Sequence, residues 1–286
     1  MNRALSALIA GAACIGLSPI FVRLSEAGPT ATAFWRVALA IVPLGVLWLA
    51  RGPGEGPLRY GGRWLLLGAA GFAFAGDLIF WHLSIRYTSV ANSTLLANLA
   101  SIFVTLAAWL LLRQRPTGLF LAGLAAALAG VALLVNTSLR LSESALLGDA
   151  FGVVTAAFYA AYIFAVKALR DRGERTLGLM AMTTTLTAAL LLPAALASGD
   201  KMLPHSLTGW GVLLGLALVS HAAGQGLIAY ALAHLPAAFS AVTLLLQPVL
   251  AALFAWTLLG ESLVPLQILG GAIVLAGIYL ARKGSL

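Results

Sequence analysis

Ten stretches of this chain run for roughly twenty residues with almost no charge. That is the length a helix needs to cross the hydrocarbon of a bilayer at about 1.5 Å rise per residue. They cover 4–24, 31–50, 64–84, 88–111, 117–136, 146–167, 176–198, 207–233, 236–258 and 263–281. The breaks between them carry turn chemistry: Gly28-Pro29, Gly52-Pro53-Gly54, Arg115-Pro116 and Asp171–Glu174. Of 286 residues, 61% are hydrophobic and 9% charged, where a soluble domain carries about 25% charged residues. No soluble core of this length hides so much apolar surface, so the solvent is lipid. Inside lipid every backbone polar group needs an internal partner, and runs of this length meet that need as helices. The expected fold is all-α, a polytopic membrane protein with no break long enough for a soluble domain.

The first run imitates a secretory leader, with Arg3 ahead of apolar residues ending near Cys14. Gly11-Ala12-Ala13 precedes Cys14 without the Leu of a lipoprotein cleavage site, so the run reads as a retained first helix. Cys14 is the single cysteine, which excludes a disulfide framework within one chain. The net charge of +8 raises nucleic acid as a partner, but the basic residues sit in the breaks and no basic stripe interleaves with stacking aromatics. With the N-terminus inside, the inner segments hold Arg3, Arg51, Arg59, Arg63, Arg113, Arg115, Lys167, Arg170, Arg172, Arg175, Arg282 and Lys283. The outer ones hold only Arg23, Arg86, Arg140 and Lys201. Twelve against four is a positive-inside bias that places both chain ends in the cytoplasm.

The chain also repeats itself. Residues 97–133 align with 244–280 at an offset of 147, with 13 of 37 pairs identical. The pairs include Trp109 with Trp256, Gly123 with Gly270 and Gly130 with Gly277, which an Ala/Leu-rich composition does not account for. The offset carries runs four and five onto nine and ten, so the unit is five helices. Five is odd, so the second copy enters the membrane from the opposite side. Two inverted halves, 1–140 and 141–286, follow, and such pairs place a solute site near the midplane between them.

Polar side chains inside hydrocarbon each require a reason. Five runs carry a polar or aromatic stripe on one helical face. These are Asp77, Trp81 and Ser84; Thr94, Asn98, Ser101 and Thr105; Thr155, Tyr159 and Tyr162; His221 and Gln225; Ser240, Thr243 and Gln247. Together they predict a central cavity that hydrogen-bonds a polar solute; singly, each hydroxyl reads as an interhelical bond. Asp77 is the carboxylate deep inside a run. It reads either as a proton-exchanging acid or as a structural partner of Arg36 or His82, though a spacing of five turns Asp77 and His82 apart by roughly 140°. Arg36 either snorkels outward or binds a substrate carboxylate. Trp35, Phe80, Trp81, Tyr159, Tyr162 and Tyr230 offer rings to stack on the apolar part of such a solute. His82 and His221 have no metal-ligand spacing, and neither metal nor cofactor is expected. Gln247-Pro248 marks either a helix break that frees carbonyls toward a cavity or a simple kink. Gly123, Gly130, Gly270 and Gly277 read as close-packing faces of runs five and ten.

The Leu-rich entry to Gln247-Pro248, the Leu259-Gly260-Glu261 turn, the Gly270…Gly277 helix and Phe34-Trp35-Arg36 resemble the drug/metabolite transporter superfamily in its EamA-type branch, most of all its exporters of aromatic amino acids. The resemblance covers nearly the whole chain and is strongest over 88–135 and 236–281. It implies export of small metabolites from the cytoplasm across a bacterial inner membrane by alternating access, with no fixed catalytic set to carry over. The small four-helix relatives exchange protons on a carboxylate in their first helix. Run one here has none, which implies facilitated diffusion or coupling elsewhere. The first half departs from the second, with Arg113-Gln114-Arg115 opposite Gly260-Glu261-Ser262 and Ser101 opposite Pro248. Competing readings are a proton antiporter using Asp77, an intramembrane enzyme using Asp77 and a His, and a lipid-flipping or scaffold protein. The enzyme lacks any nucleophile or metalloprotease motif. The expected partners are a small-molecule substrate and the bilayer, and the oligomeric state is open.

Overall fold

The computed structural model describes residues 2–50, 63–88, 90–135 and 145–285. The Gly52-Pro53-Gly54 turn, Arg51, Arg59, Arg140 and the boundary between 140 and 141 lie outside them. Among the described residues ten helices are long and apolar enough to span a bilayer. We number them α1 (Arg3–Leu24), α2 (Pro29–Ala50), α3 (Trp64–Tyr87), α4 (Ser93–Leu112), α5 (Gly118–Val135), α6 (Leu146–Asp171), α7 (Thr176–Ala197), α8 (Leu207–Leu232), α9 (Ala237–Leu259) and α10 (Pro265–Gly284).

The packing repeats under exchange of the two halves. α2 lies on α7 and α5 on α10, while α3 packs on α6 as α8 packs on α1. Replacing α1–α5 by α6–α10 maps each of these pairs onto itself or onto the other. An odd number of helices per half makes the two copies inverted. The repeated glycines explain the closest crossing. A methyl on Gly130 would sit 2.6 Å from the Gly270 carbonyl oxygen, and one on Gly277 would sit 2.6 Å from that of Gly123. α5 and α10 therefore touch backbone to backbone, as small residues permit in membranes.

Connections pair with connections on their own face. On the face away from the chain ends, Arg23 pairs with Glu261, the Thr30 backbone N–H donates to Asp200 at 2.7 Å, and the Trp35 indole donates to the Met202 carbonyl at 2.7 Å. There Glu26 accepts from the Ser206 hydroxyl at 2.6 Å and from the backbone N–H groups of His205 and Ser206. These bonds, the hydroxyl's first, hold its carboxyl below the usual glutamate range. On the face with the chain ends, Arg63 pairs with the buried Glu174, and the Thr117 hydroxyl donates to the Gly284 carbonyl at 2.7 Å.

Four spans are not regular. α1 is interrupted at Leu17, between Asn2–Gly16 and Ser18–Leu24, where Pro19 opens the second piece. α4 divides into α4a (Val90–Ala97) and α4b (Ala100–Leu112), and α9 into α9a (Ala237–Thr243) and α9b (Leu246–Leu259). α8 carries a wide-turned π segment over Leu216–Gln225. The breaks in α4 and α9 fall within one residue of aligned positions in the two halves, so both copies bend. Pro43 and Pro193, by contrast, sit inside unbroken helices.

Candidate functional site

The four irregular spans meet at one cavity of about 140 Å³. Its wall takes Gly16, Ser18 and Pro19 from the break in α1, and Thr94, Ala97 and Asn98 from the end of α4a. It takes Gln225 from the π segment of α8, and Gln247, Pro248 and Ala251 from the start of α9b. The regular helices add Arg36 from α2, Phe74, Asp77, Leu78 and Trp81 from α3, and Thr155 and Tyr159 from α6. Irregular backbone at membrane depth is tolerated where it lines such a cavity, and π segments recur at functional sites.

The break in α9 is a tight turn. Leu245 N–H donates to Val242 O and Gln247 N–H to Leu244 O, at 3.1 and 2.9 Å. Pro248 follows in the first turn of α9b, where its missing N–H costs no helical bond. Gln247-Pro248 therefore starts a helix rather than kinking one. In α4 the same bend has no proline. The Asn98 amide donates to Thr94 O at 2.7 Å and the Ser101 hydroxyl to Asn98 O at 2.9 Å.

The cavity wall is polar and incompletely satisfied. Arg36 is 7% exposed and Gln225 is 2% exposed. Arg36 Nε, Gln225 Oε1, Gln247 Nε2 and Ser18 Oγ are buried without a hydrogen-bond partner. Each such group costs about 1–3 kcal/mol unless water or a solute answers it. Tyr159 places its hydroxyl near both Gln225 and Gln247. Among the described residues no three His, Cys, Asp or Glu side chains gather in a metal-holding group.

The halves of α4 and α9 are not arranged alike around this space. α4b packs directly against α9a, whereas α4a leans onto α6 and α9b onto α1. The cavity lies in the gap between α4a and α9b. Beyond the α4b–α9a contact, on the face with the chain ends, lies a second cavity of about 650 Å³. It is bordered by Thr105, Arg115, Lys167, His234 and Phe239.

A family profile for the EamA-like transporter family matches the chain twice, over residues 2–136 and 146–282. The chain belongs to that family. The protein is thus a membrane transporter, which sets aside the enzyme reading. A transporter of Archaeoglobus fulgidus described as uncharacterized is 30% identical over 272 residues, covering 91% of each chain. A probable terminal-alkyne amino-acid exporter of Streptantibioticus cattleyicolor is 31% identical over 225 residues, 77% of this chain and 73% of that one. The uncharacterized inner membrane transporter YhbE of Escherichia coli is 28% identical, over 85% of this chain and 77% of its own. A crystal structure with 17% sequence identity superposes with a TM-score of 0.86 over 99% of this chain and 98% of the other, a likeness of fold.

Of the residues singled out from sequence, the transporter brings Arg36, Asp77, Trp81, Asn98, Tyr159, Gln225 and Gln247 to the cavity. The other five lie elsewhere. Trp35 is spent on Met202 and stands edge-on to Trp210. Phe80 stacks on Phe158 at 5.4 Å. Tyr162 is 2% exposed and packs behind the wall on Phe74 at 4.7 Å. His221 shares a 2.8 Å hydrogen bond with Thr184 and stacks on Phe74. Tyr230 is 38% exposed near the chain-end face, against His234.

The hydroxyl stripes divide as well. Thr94 and Asn98 line the cavity. Ser101, Thr105, Ser240 and Thr243 are buried, their hydroxyls returned to carbonyls of their own helices at 2.7–2.9 Å. His82 donates from Nδ1 to Leu78 O at 2.6 Å, which ties it to its own helix. Sequence reasoning missed Ser18 and Phe74. Phe74 stands three residues before Asp77, on the stripe already recognised, and Ser18 directly precedes the proline of the α1 break.

Proposed function

We propose that the protein exports amino acids, or closely related small zwitterionic metabolites, across the bacterial inner membrane by alternating access, without needing an imposed ion gradient. The observation that carries this reading is the cavity itself. A base, an acid and unanswered amide groups share one small wall where broken helices meet. Half-helices ending at midplane sites are the recurrent means by which such transporters bind a carboxylate. The amino-acid exporter among the relatives supports the same substrate class. At about 140 Å³ the cavity is close to the ~150 Å³ engineered cavity that takes up benzene. In this conformation it suits a short aliphatic amino acid. An aromatic one fits once α4a and α9b part further, with Trp81 and Phe74 beside its ring.

In this proposal the chain ends are cytoplasmic, and 1–140 and 141–286 act as the two inverted units. The double profile match and the basic residues of the chain-end segments support it. The conformation is then closed to the cytoplasm by α4b on α9a and relaxed on the outer side. Reorientation would exchange the two arrangements. The test is counterflow of labelled amino acids into proteoliposomes holding the same amino acid unlabelled. Accumulation without a pH gradient is expected, and indifference across a broad amino-acid panel would refute the reading.

One observation favours a second reading, proton-coupled antiport. Asp77 is the carboxylate on the cavity wall. That reading requires flux that depends strictly on a pH gradient and loses this dependence in Asp77→Asn.

A further inference from the structure

The cavity holds a guanidinium and a carboxyl group that, among the described residues, do not meet in an ion pair. Arg36 and Asp77 both line it, one from α2 and one from α3. Arg36 is 7% exposed and its Nε donates to nothing. Asp77 is only partly covered, on a cavity wall. A buried charge without a full partner is costly, and a group that answers it recovers much of that cost. A solute carrying both signs answers both residues at once. A solute carrying one sign answers one residue and brings a net charge into a membrane-buried site.

We infer that Arg36 and Asp77 sort the two ends of the solute, Arg36 taking a carboxylate and Asp77 an ammonium group. The site thereby selects zwitterions over acids and amines of the same carbon skeleton. The inference rests on the amino-acid reading above and assigns the residues that enforce it. Gln225 Oε1 is an acceptor without a donor and Gln247 Nε2 a donor without an acceptor. They offer the solute a further bond of each kind beside Tyr159. Because a zwitterion brings no net charge, its passage is insensitive to membrane voltage.

The test uses the full chain in lipid nanodiscs and three probes: L-norvaline, 2-oxopentanoate, which lacks its amine, and n-butylamine, which lacks its carboxylate. Wild type should bind norvaline at least tenfold more tightly than either analogue. In Asp77→Asn, norvaline should weaken about tenfold or more, down to the level of 2-oxopentanoate, whose own affinity is retained. In Arg36→Gln, norvaline should fall to the level of n-butylamine. Asp77→Glu should keep the wild-type order. Equal weakening of all three probes in both variants, or an unchanged preference in Asp77→Asn, would overturn the inference. So would a wild type that binds 2-oxopentanoate as tightly as norvaline, a result that needs no variant to fold. A wild type that binds and carries no amino acid defeats the functional reading itself. One that carries amino acids while both variants keep their discrimination defeats only the sorting.

Discussion

The two halves of this transporter share one design and hold it in two arrangements. α4 and α9 bend within one residue of aligned places, and both end in a left-handed residue whose N–H returns to an aligned carbonyl. Arg113, at φ 56°, bonds Ala108 O, and Gly260, at φ 70°, bonds Ala255 O. Gln114 and Glu261 then reach back to the same two carbonyls. Yet α4b meets α9a while α4a and α9b stand apart around the cavity. The local backbone is thus a property of the repeat, and the asymmetry is a property of how the repeats lean on each other. An inverted pair can exchange leans without refolding either copy, as the proposed alternating access requires.

The chemistry that holds each bend differs, and substitutions can separate shared backbone from particular side chains. The largest effect is expected where both halves must touch. A methyl on Gly270 would lie 2.7 Å from Gly130 O, so Gly270→Val should destabilise by about 3 kcal/mol or more. Thermal unfolding in detergent should show it as loss of a cooperative transition. Ser101→Pro places in the first half what the second half has as Pro248. It removes the Ser101 N–H and hydroxyl bonds to Asn98 O and should cost about 1–2 kcal/mol while leaving the bend in place. Arg113→Gly makes the two turns alike and should stabilise by about 1 kcal/mol, because a side chain no longer occupies the left-handed region. Pro248→Ala should change stability least. Loss of the α9 bend in that variant would show that the proline, and not the repeat, sets it.

The face away from the chain ends adds a pH-dependent comparison. Glu26 has its carboxyl lowered by Ser206 and by the backbone of residues 205–206. A depressed carboxyl stabilises above its unfolded value and loses that contribution as pH falls through its folded value. The Glu26–Ser206 latch should therefore persist at neutral pH and release only below the usual glutamate range. Hydrogen exchange of the 198–206 segment should rise there in wild type, and Glu26→Gln should flatten the rise.

Much of this was legible in the sequence because lipid is a severe solvent. Run length fixed the ten helices within a few residues, and repeated Gly residues marked close-packing faces on α5 and α10, which the fold sets against each other. Periodicity found Asp77, Trp81, Asn98, Tyr159, Gln225 and Gln247. It did not tell which part of a stripe faces the cavity. Ser101 and Thr105 share a face with Thr94 and Asn98, but the bend at Asn98-Leu99 turns that face into the α4b–α9a contact. Nor did residue type separate a lining aromatic from a packing one. Trp81 lines the cavity, while one residue earlier Phe80 stacks on Phe158. The π segment of α8 has no signature in composition, so the depth at which Gln225 enters the site came only with the fold.

The most direct test of the splayed pair is thiol accessibility in a Cys14→Ser background, using a membrane-impermeant reagent on right-side-out and inverted vesicles. Asn98→Cys and Gln247→Cys should react from the outer side alone, while Ser101→Cys and Ser240→Cys resist the reagent from either side. Modification of Ser240→Cys from the outer side as readily as Asn98→Cys would contradict the proposed closure by the α4b–α9a contact.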